Sequence, residues 1–592
     1  MSRRPLPDTI VEPTLERPGT GLFDRSHIPH SKVLQASRLV DISGAPQAVS
    51  EWRIEDQGEP GLGGRPAMLD DRAMFALLLM VATEWDPMHL TRVASLITHR
   101  LSDDSKTALG ITTASATEAE WYARTWRAFH RISVVVDPFP ITRALGGDRR
   151  SRMTRAQFDG IVQARDVVEC ARKQRRINQL ANMLLEASWQ FVPRDIQRRW
   201  KGNACIDGTK IRTHAQRNPR NDSLWASIEP DAGYHCRGGD HSDKKENGER
   251  TAYGFEGNLA ILIPNTGEAH ADFPQIVLAM SFDRPGVAPG ENAAVAFQSL
   301  VERKHPVGVV VADRGILPNS MPHKLQEPLA KLGYEFAFDY KIDQLGLKAG
   351  HEGAIQVEGA WYCPSMPPML IEATLVYRGS KKATTDPKGI FKGDRETWLE
   401  RIAERKKYLL RPNGRPDASG KVRLMCPAVG PNATADCPLR ENNAAPGRRQ
   451  ILVVPETPGK ICTNAKDVTF DRHLGVKYNQ KFQYGTAKWE LAYKPGRAAI
   501  EGFNGFAKDG GYEALEDGSR RRVRGYAAQF ILTAFLVVSA NLRKIEAFLN
   551  LHPEDLEKKF EKSDRRKQRA LNKKPVKVSG LADPPDEESP PE

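Results

Sequence analysis

Apolar positions along the chain change their period, and each change marks a region. From Leu69 to Trp189 they recur every three to four residues. The segments are DDRAMFALLLMVATE, LTRVASLITHRL, ASATEAEWYARTWRAFHRI and a run from about Gln163 to Trp189 that carries RKQRR early. That spacing predicts amphipathic helices. In the third segment Ser115 stands three residues before Glu118, the pattern of a capping box. Tyr122, Trp126 and Phe129 form an aromatic stripe expected in the core, and Arg124, Arg127 and Arg131 a cationic stripe expected in solvent. Beyond Lys201 the texture turns strand-like: ACIDGT, TAYGFEGNLAILIP, PQIVLAMSF, VGVVVAD and YEFAFDY read as strands. Helices ENAAVAFQSLVER and HKLQEPLAKLG fall among the last three. Continuous apolar runs such as VGVVVA suit strands covered on both faces.

These changes divide the chain. Residues 1–62, rich in Pro, Gly and charge, read as an extended, partly disordered arm, and 63–200 as a helical region. Residues 201–345 form the first part of an α/β core, a mixed five-stranded sheet with flanking helices. From 346 to 480 periodicity collapses into Pro-, Gly- and Lys-rich sequence, the expected insertion; 481–552 return to helical order and complete the core. Residues 553–592 are basic, then acidic, with little apolar content, and are expected to be disordered. The uncharged run Gly525 to Leu542 contains Gln529, Thr533, Ser539 and Asn541, which predicts a buried helix rather than a membrane span.

Composition narrows the picture modestly. A formal net charge of +13 is compatible with a polyanionic partner. Seven cysteines imply no disulfide framework and fit a reducing cytosol. Cys363, Cys426, Cys437 and Cys462 all fall in the insertion, but with loose spacing and no Cys-X-X-Cys. They read as isolated structural thiols rather than as a zinc site. Trp361 and Trp398 read as packing residues rather than platforms for an extruded base, and His235, Cys236, Asp240 and His241 as part of a flexible loop rather than metal ligands.

The candidate chemistry lies in three acids. Asp207 and Asp313 each end an apolar run and precede a glycine-containing turn, Asp207-Gly208-Thr209 and Asp313-Arg314-Gly315. An acid at the C-terminal end of a buried strand sits at the rim where α/β sheets place ligands, and a divalent cation is a natural partner for it. The third acid is in YKPGRAAIEGFNGFAK. With Pro495 as the first helical residue, Arg497, Glu501 and Lys508 share one helix face within about 40°. Gly502 and Gly505 would keep that helix thin enough for a close backbone approach.

ACIDGTKIR, VVVADRGILPN and the tetrad Tyr493, Arg497, Glu501 and Lys508 together resemble the catalytic motifs of bacterial insertion-sequence DDE transposases with a Tyr-Arg-Glu-Lys signature. One departure is visible: three residues separate Tyr493 from Arg497, where the usual pattern has two. The resemblance covers roughly residues 65–550 and implies a ribonuclease-H-like fold, with the large insertion standing before the last catalytic helix. It implies that Asp207, Asp313 and Glu501 are catalytic and bind two Mg²⁺, with Mn²⁺ able to substitute. Tyr493, Arg497 and Lys508 would contact DNA, the two cations holding phosphates rather than neutralising the acid, and residues 63–200 would bind the ends. The implied reaction is metal-dependent cleavage and strand transfer on double-stranded DNA, transposon terminal repeats and target, by a dimer in the bacterial cytosol. The alternatives are a nuclease of the same fold without strand transfer, or an inactive DNA-binding relic.

Overall fold

The computed structural model describes residues 26–58, 67–111, 116–142, 147, 153–215, 224–236, 251–382, 395–417, 419–440, 449–450 and 453–550. Within these the chain is mixed α/β, with a principal sheet, many helices and a set of small sheets between residues 347 and 470.

The principal sheet comprises β1 (Ala204–Arg212), β2 (Gly233–Cys236), β3 (Thr251–Leu262), β4 (Val277–Asp283), β5 (Val309–Ala312) and β6 (Glu335–Phe338). Helices α6 (Pro289–Glu302) and α7 (Gln326–Lys331) provide the crossovers from β4 to β5 and from β5 to β6. β1 pairs with β3 antiparallel and with β5 parallel, and β5 pairs with β6 parallel. β4 and β2 pair with different stretches of β3, so the expected five strands are joined by a short sixth, β2. His235 lies on β2, buried, its Nε2 3.0 Å from the Phe255 carbonyl oxygen, rather than in a flexible loop; Asp240 and His241 lie outside the described residues.

The unpaired side of β4 is closed by side chains. Asn182 accepts from Met280 N–H at 2.8 Å and donates to its carbonyl at 3.1 Å. Asn541 does the same at Val277, at 3.0 and 2.7 Å. Each amide imitates the backbone of a neighbouring strand and satisfies groups that would otherwise be buried without partners.

The helical layer differs from its expected start. α1 (His30–Ser43) and α2 (Ala45–Gln57) are regular helices, and Val33, Leu39, Val40, Val49 and Trp52 are buried in the main core. Residues 30–57 are therefore part of the globule, not an extended arm; burying these apolar side chains offsets the cost of ordering them. α3 (Asp71–Thr83) is buried almost all round and is capped by Asp70, whose side chain accepts from Ala73 N–H. α4 (Glu118–Val136) has its capping box at Thr117 and Glu120, two residues later than expected, and Ser115 lies outside the described residues. Its core face is accordingly Trp121, Thr125, Ala128, Phe129 and Ile132, while Tyr122 and Trp126 are exposed. Arg131 is only partly solvated and pairs with the buried Asp71 at 2.8 Å.

α5 (Val167–Trp189) supplies Asn182. α8 (Ala487–Ala507) packs across β1, β5 and β6, and α9 (Tyr526–Leu549) runs through the core. Among the described residues α9 is the one helix long and apolar enough to cross a membrane, and most of it is buried inside the protein.

Among the described residues of the insertion the apolar side chains fall into several small clusters. The insertion holds an antiparallel meander of β7 (Leu347–His351), β8 (Ala354–Val357) and β9 (Ala360–Tyr362). A second sheet is built from β10 (Arg411–Pro412), β11 (Val422–Met425) and β14 (Val468–Phe470), and a pair from β12 (Ala435–Asp436) and β13 (Arg449–Gln450). The Trp residues pack as expected. Trp398 stacks on Tyr377 with centroids 4.7 Å apart, and Trp361 meets Phe470 edge-on. Arg405 and Glu358 form a fully buried ion pair, and Thr374 Oγ1 donates to the same carboxylate. The expected tail, 553–592, lies outside the described residues.

Candidate active site

Three neighbouring parallel strands each deliver an acid. The β1–β5 register pairs Ile206 with Ala312, so the next residues, Asp207 and Asp313, stand side by side. The β5–β6 register pairs Ala312 with Phe338, which places Asp339 next in the row. Asp207 does not end its strand: β1 continues to Arg212, paired with β3 throughout. Asp313 does follow the end of β5. Its Oδ1 accepts from Gly315 N–H at 2.9 Å and Ile316 N–H at 3.0 Å, so the carboxylate shapes its own turn.

Gly208 serves close packing rather than a turn. A Cβ at that position would collide with Glu256 Oε1 on the adjacent β3. Glu256 is half-buried, accepts from Gly286 N–H at 3.0 Å, and is held above the usual carboxylate range by burial, with the Asp313 charge adding to it. It is a further acid beside the pair that sequence reasoning missed.

The Asp207 side chain is largely buried, with Oδ1 accepting from its own Gly208 N–H at 3.0 Å. Burial pushes its carboxyl up to about 6; Arg497 opposes the rise and the neighbouring Asp313 charge reinforces it. At Asp207, burial thus outweighs the arginine beside it.

α8 lies over this edge because Gly496 lets it. A Cβ on Gly496 would come within 2.9 Å of Ile263 Cδ1 and 3.1 Å of Val311 Cγ1. Gly502 and Gly505, expected to have that role, have open space where a side chain would stand. Pro495 is inside the helix, not at its first position: the helix begins after Thr486, whose side chain accepts from Trp489 N–H.

Next to Gly496 in the helix, Arg497 reaches both acids it separates. Nη1 is 3.5 Å from Asp207 Oδ2 and Nη2 is 3.1 Å from Glu501 Oε1. Nη1 is buried without a hydrogen bond, so the Asp207 contact is loose. The Glu501 side chain is 65% exposed and stands on the solvent side of this bridge. The expectation that the cations leave the acid unneutralised is therefore corrected: Arg497 lies between Asp207 and Glu501, and Lys508, at the C-cap of α8, pairs with Glu516 at 3.3 Å. Tyr493 stacks on Trp489 with centroids 5.0 Å apart, and burial, with the Asp339 charge adding, pushes its hydroxyl up to about 12.

Asp339 was legible in principle, since FAFDY repeats the pattern of an acid closing an apolar strand. Its surroundings set it apart. Arg314 Nη2 lies 3.0 Å from it, and Arg378 and the Tyr484 hydroxyl both bond to its Oδ1. It is fully partnered and anchors the helix carrying Arg378 to the end of β6.

Among the described residues no three His, Cys, Asp or Glu side chains already stand at metal-holding distances. A divalent cation nonetheless fits the donors at Asp207 and Asp313: hard oxygen ligands, crowded like charges and one loosely held guanidinium to displace. Glu501 is not among these donors: its side chain is turned toward solvent and held by Arg497. No known protein family, curated protein or solved structure matches the chain.

Proposed function

We propose that the chain is a DDE transposase with a ribonuclease-H-like catalytic core, cutting and joining double-stranded DNA at transposon ends. The observation that carries this reading is the pairing of Asp207 with Asp313 on adjacent parallel strands, under a helix that brings Arg497 and Glu501 to the same edge. The strand order β4-β3-β1-β5-β6, antiparallel only on the β3 side of β1, is what such a core requires. A bacterial cytosolic location and action as a dimer belong to the same proposal.

Asp207, Asp313 and Glu501 would hold two Mg²⁺, which when bound supply Lewis-acid stabilisation of the attacking and leaving oxygens. The chain's own residues set the stage. Asp313 is pre-oriented by its turn, Asp207 by the sheet, and both are placed without a conformational search. Arg497, relieved of the carboxylates, has a guanidinium whose fork geometry matches a DNA phosphate. Lys508 can exchange Glu516 for a phosphate in the same way. Tyr493, half-buried against Trp489, positions the helix turn that carries Arg497.

The test is a plasmid assay with mapped transposon ends. Asp313→Asn keeps the turn-forming oxygen and removes the charge. It is expected to lose cleavage by at least about a thousandfold, consistent with removal of a metal ligand, while retaining end binding in a mobility-shift assay. Normal cleavage by this variant refutes the reading. Cleavage by the wild type without joining of a pre-cut end to target DNA would point instead to a nuclease.

A further inference from the structure

A row of positive charge runs on from the Asp207–Asp313 edge, and one acid closes it. β1 continues past Asp207 with Lys210 and Arg212, which share a face of the strand because its side chains alternate. Lys508, at the C-cap of α8, reaches the same acid as Arg212. That acid is Glu516: its Oε1 lies 3.2 Å from Arg212 Nε and its Oε2 3.3 Å from Lys508 Nζ. Against partial burial, which acts the other way, the Lys508, Arg212 and Lys210 charges hold the Glu516 carboxyl below its ordinary range. Arg212 and Glu516 stand outside the tetrad that carries the resemblance.

The backbone, not the ion pairs, delivers Glu516 to this position. In the segment between α8 and α9, Leu515 is fully buried and its N–H donates to the Ala507 carbonyl at 2.9 Å. Gly518 packs backbone to backbone against Arg212 and Thr213 at the end of β1, where a Cβ would come within 2.5 Å of the Thr213 carbonyl. The buried Arg521 donates to the Arg212 carbonyl at 3.2 Å. These contacts fix the segment without the Glu516 side chain, and ion pairs as open to solvent as that of the half-exposed Arg212 add little to stability. A carboxylate set by the backbone between two cations, at little gain to the fold, fills the place of a displaceable anion.

We propose that Lys210, Arg212 and Lys508 form a binding site for the phosphate backbone of duplex DNA, which Glu516 holds closed until a phosphate displaces its carboxylate. The identity of the polyanion rests on the transposase reading. Arg212 is five residues beyond Asp207, about 17 Å along an extended strand. Lys508 is seven residues beyond Glu501, about 10 Å along a helix. At about 3.4 Å per nucleotide of a duplex strand, the site grips the backbone about three to five nucleotides from a phosphate lying at the acids. Displacing Glu516 costs the same on every sequence, so this acid lowers affinity for DNA at large and leaves base contacts to decide where the protein stays.

The experiment measures binding of the full-length chain to a short duplex by fluorescence anisotropy, without divalent cations and over a range of salt. Glu516→Gln is expected to tighten binding by about threefold to tenfold at about 0.1 M salt. The slope of log affinity against log salt should not change, because the same phosphates are neutralised. Arg212→Ala should weaken binding and flatten that slope by about 0.9, the loss of one phosphate contact. Glu302→Gln, at the end of α6 on the opposite edge of the sheet, makes the same change of charge and should leave affinity within about twofold. On mapped ends, a neutral methylphosphonate about three to five nucleotides from the cut should weaken the wild type but not Arg212→Ala, and an equal loss in both would overturn the placement. Unchanged affinity in Glu516→Gln, equal tightening by Glu302→Gln, or an unchanged slope in Arg212→Ala overturns the proposal; cleavage and joining by the wild type would then leave the transposase reading standing. Tighter binding by Glu516→Gln with no cleavage of mapped ends by the wild type keeps the site and removes that reading instead.

Discussion

Asp207 holds a charge that its surroundings resist. Its folded pKa of about 6 stands above the ordinary 3.8, so the folded state binds the proton more tightly than the unfolded chain. The sign follows: without divalent cations, stability falls as pH rises from about 4 to 6, by up to about 3 kcal/mol. A cation that binds the ionised pair reverses this. Millimolar Mg²⁺ is therefore expected to raise the melting temperature more at pH 7.5 than at pH 5, and to do little for Asp207→Asn. Thermal scans at the two pH values check it; an equal Mg²⁺ effect in the variant would remove Asp207 as a ligand. Both Asp207 and Asp313 were legible because a buried apolar run ending in an acid is hard to explain without a partner. Asp339 carries the same signal, but its difference from them lies in Arg314, Arg378 and Tyr484, which come from distant segments and leave no local trace. Glu256 was invisible for a related reason: only the β1–β3 pairing brings it over Gly208.

Element by element, sequence periodicity located most helices and the principal strands while misplacing their contacts. The three glycines of α8 look equivalent in sequence, yet only Gly496 faces the sheet. Gly496→Val is expected to destabilise the protein by about 2 kcal/mol through overpacking against Ile263 and Val311. Gly502→Ala, in open space on the same helix, is expected to stabilise it by about 0.5–1 kcal/mol. Chemical denaturation of the two variants separates them, and equal effects would contradict the packing of α8 on β5. The helix pair His30–Gln57 escaped notice because its apolar residues are diluted with polar ones and broken at Gly44; burial against the rest of the core, not local propensity, decides that segment. Of the aromatic stripe of α4 only Phe129 lies in the core; the face is completed by Trp121, Thr125 and Ile132 instead of Tyr122 and Trp126, and the cap stands at Thr117.

Across the whole molecule, helical and strand periods stop at about 345 and resume at about 480, which is all that suggests boundaries there in the sequence. What joins the insertion to the core is not legible there. The chain returns at Gln480 and Lys481, where Gln480 Oε1 accepts from Phe338 N–H at 3.1 Å and Lys481 N–H donates to Phe336 at 2.9 Å. The insertion thus leaves and rejoins beside β6, one strand from the Asp207–Asp313 pair. The core helix α9 has a different kind of reach. Phe535 meets Phe75 of α3 with centroids 5.9 Å apart, Ser539 Oγ donates to the Ala82 carbonyl, and Asn541 closes the edge of β4. A ribosome makes α3 some 450 residues, and the β4 edge some 260 residues, before the segment that covers them, so the nascent chain must keep both shielded until translation nears residue 549. A product stopped after Arg520 is expected to stay bound to chaperones or to aggregate, which co-sedimentation would reveal, and premature stop codons would then yield no folded fragment able to interfere with the intact protein.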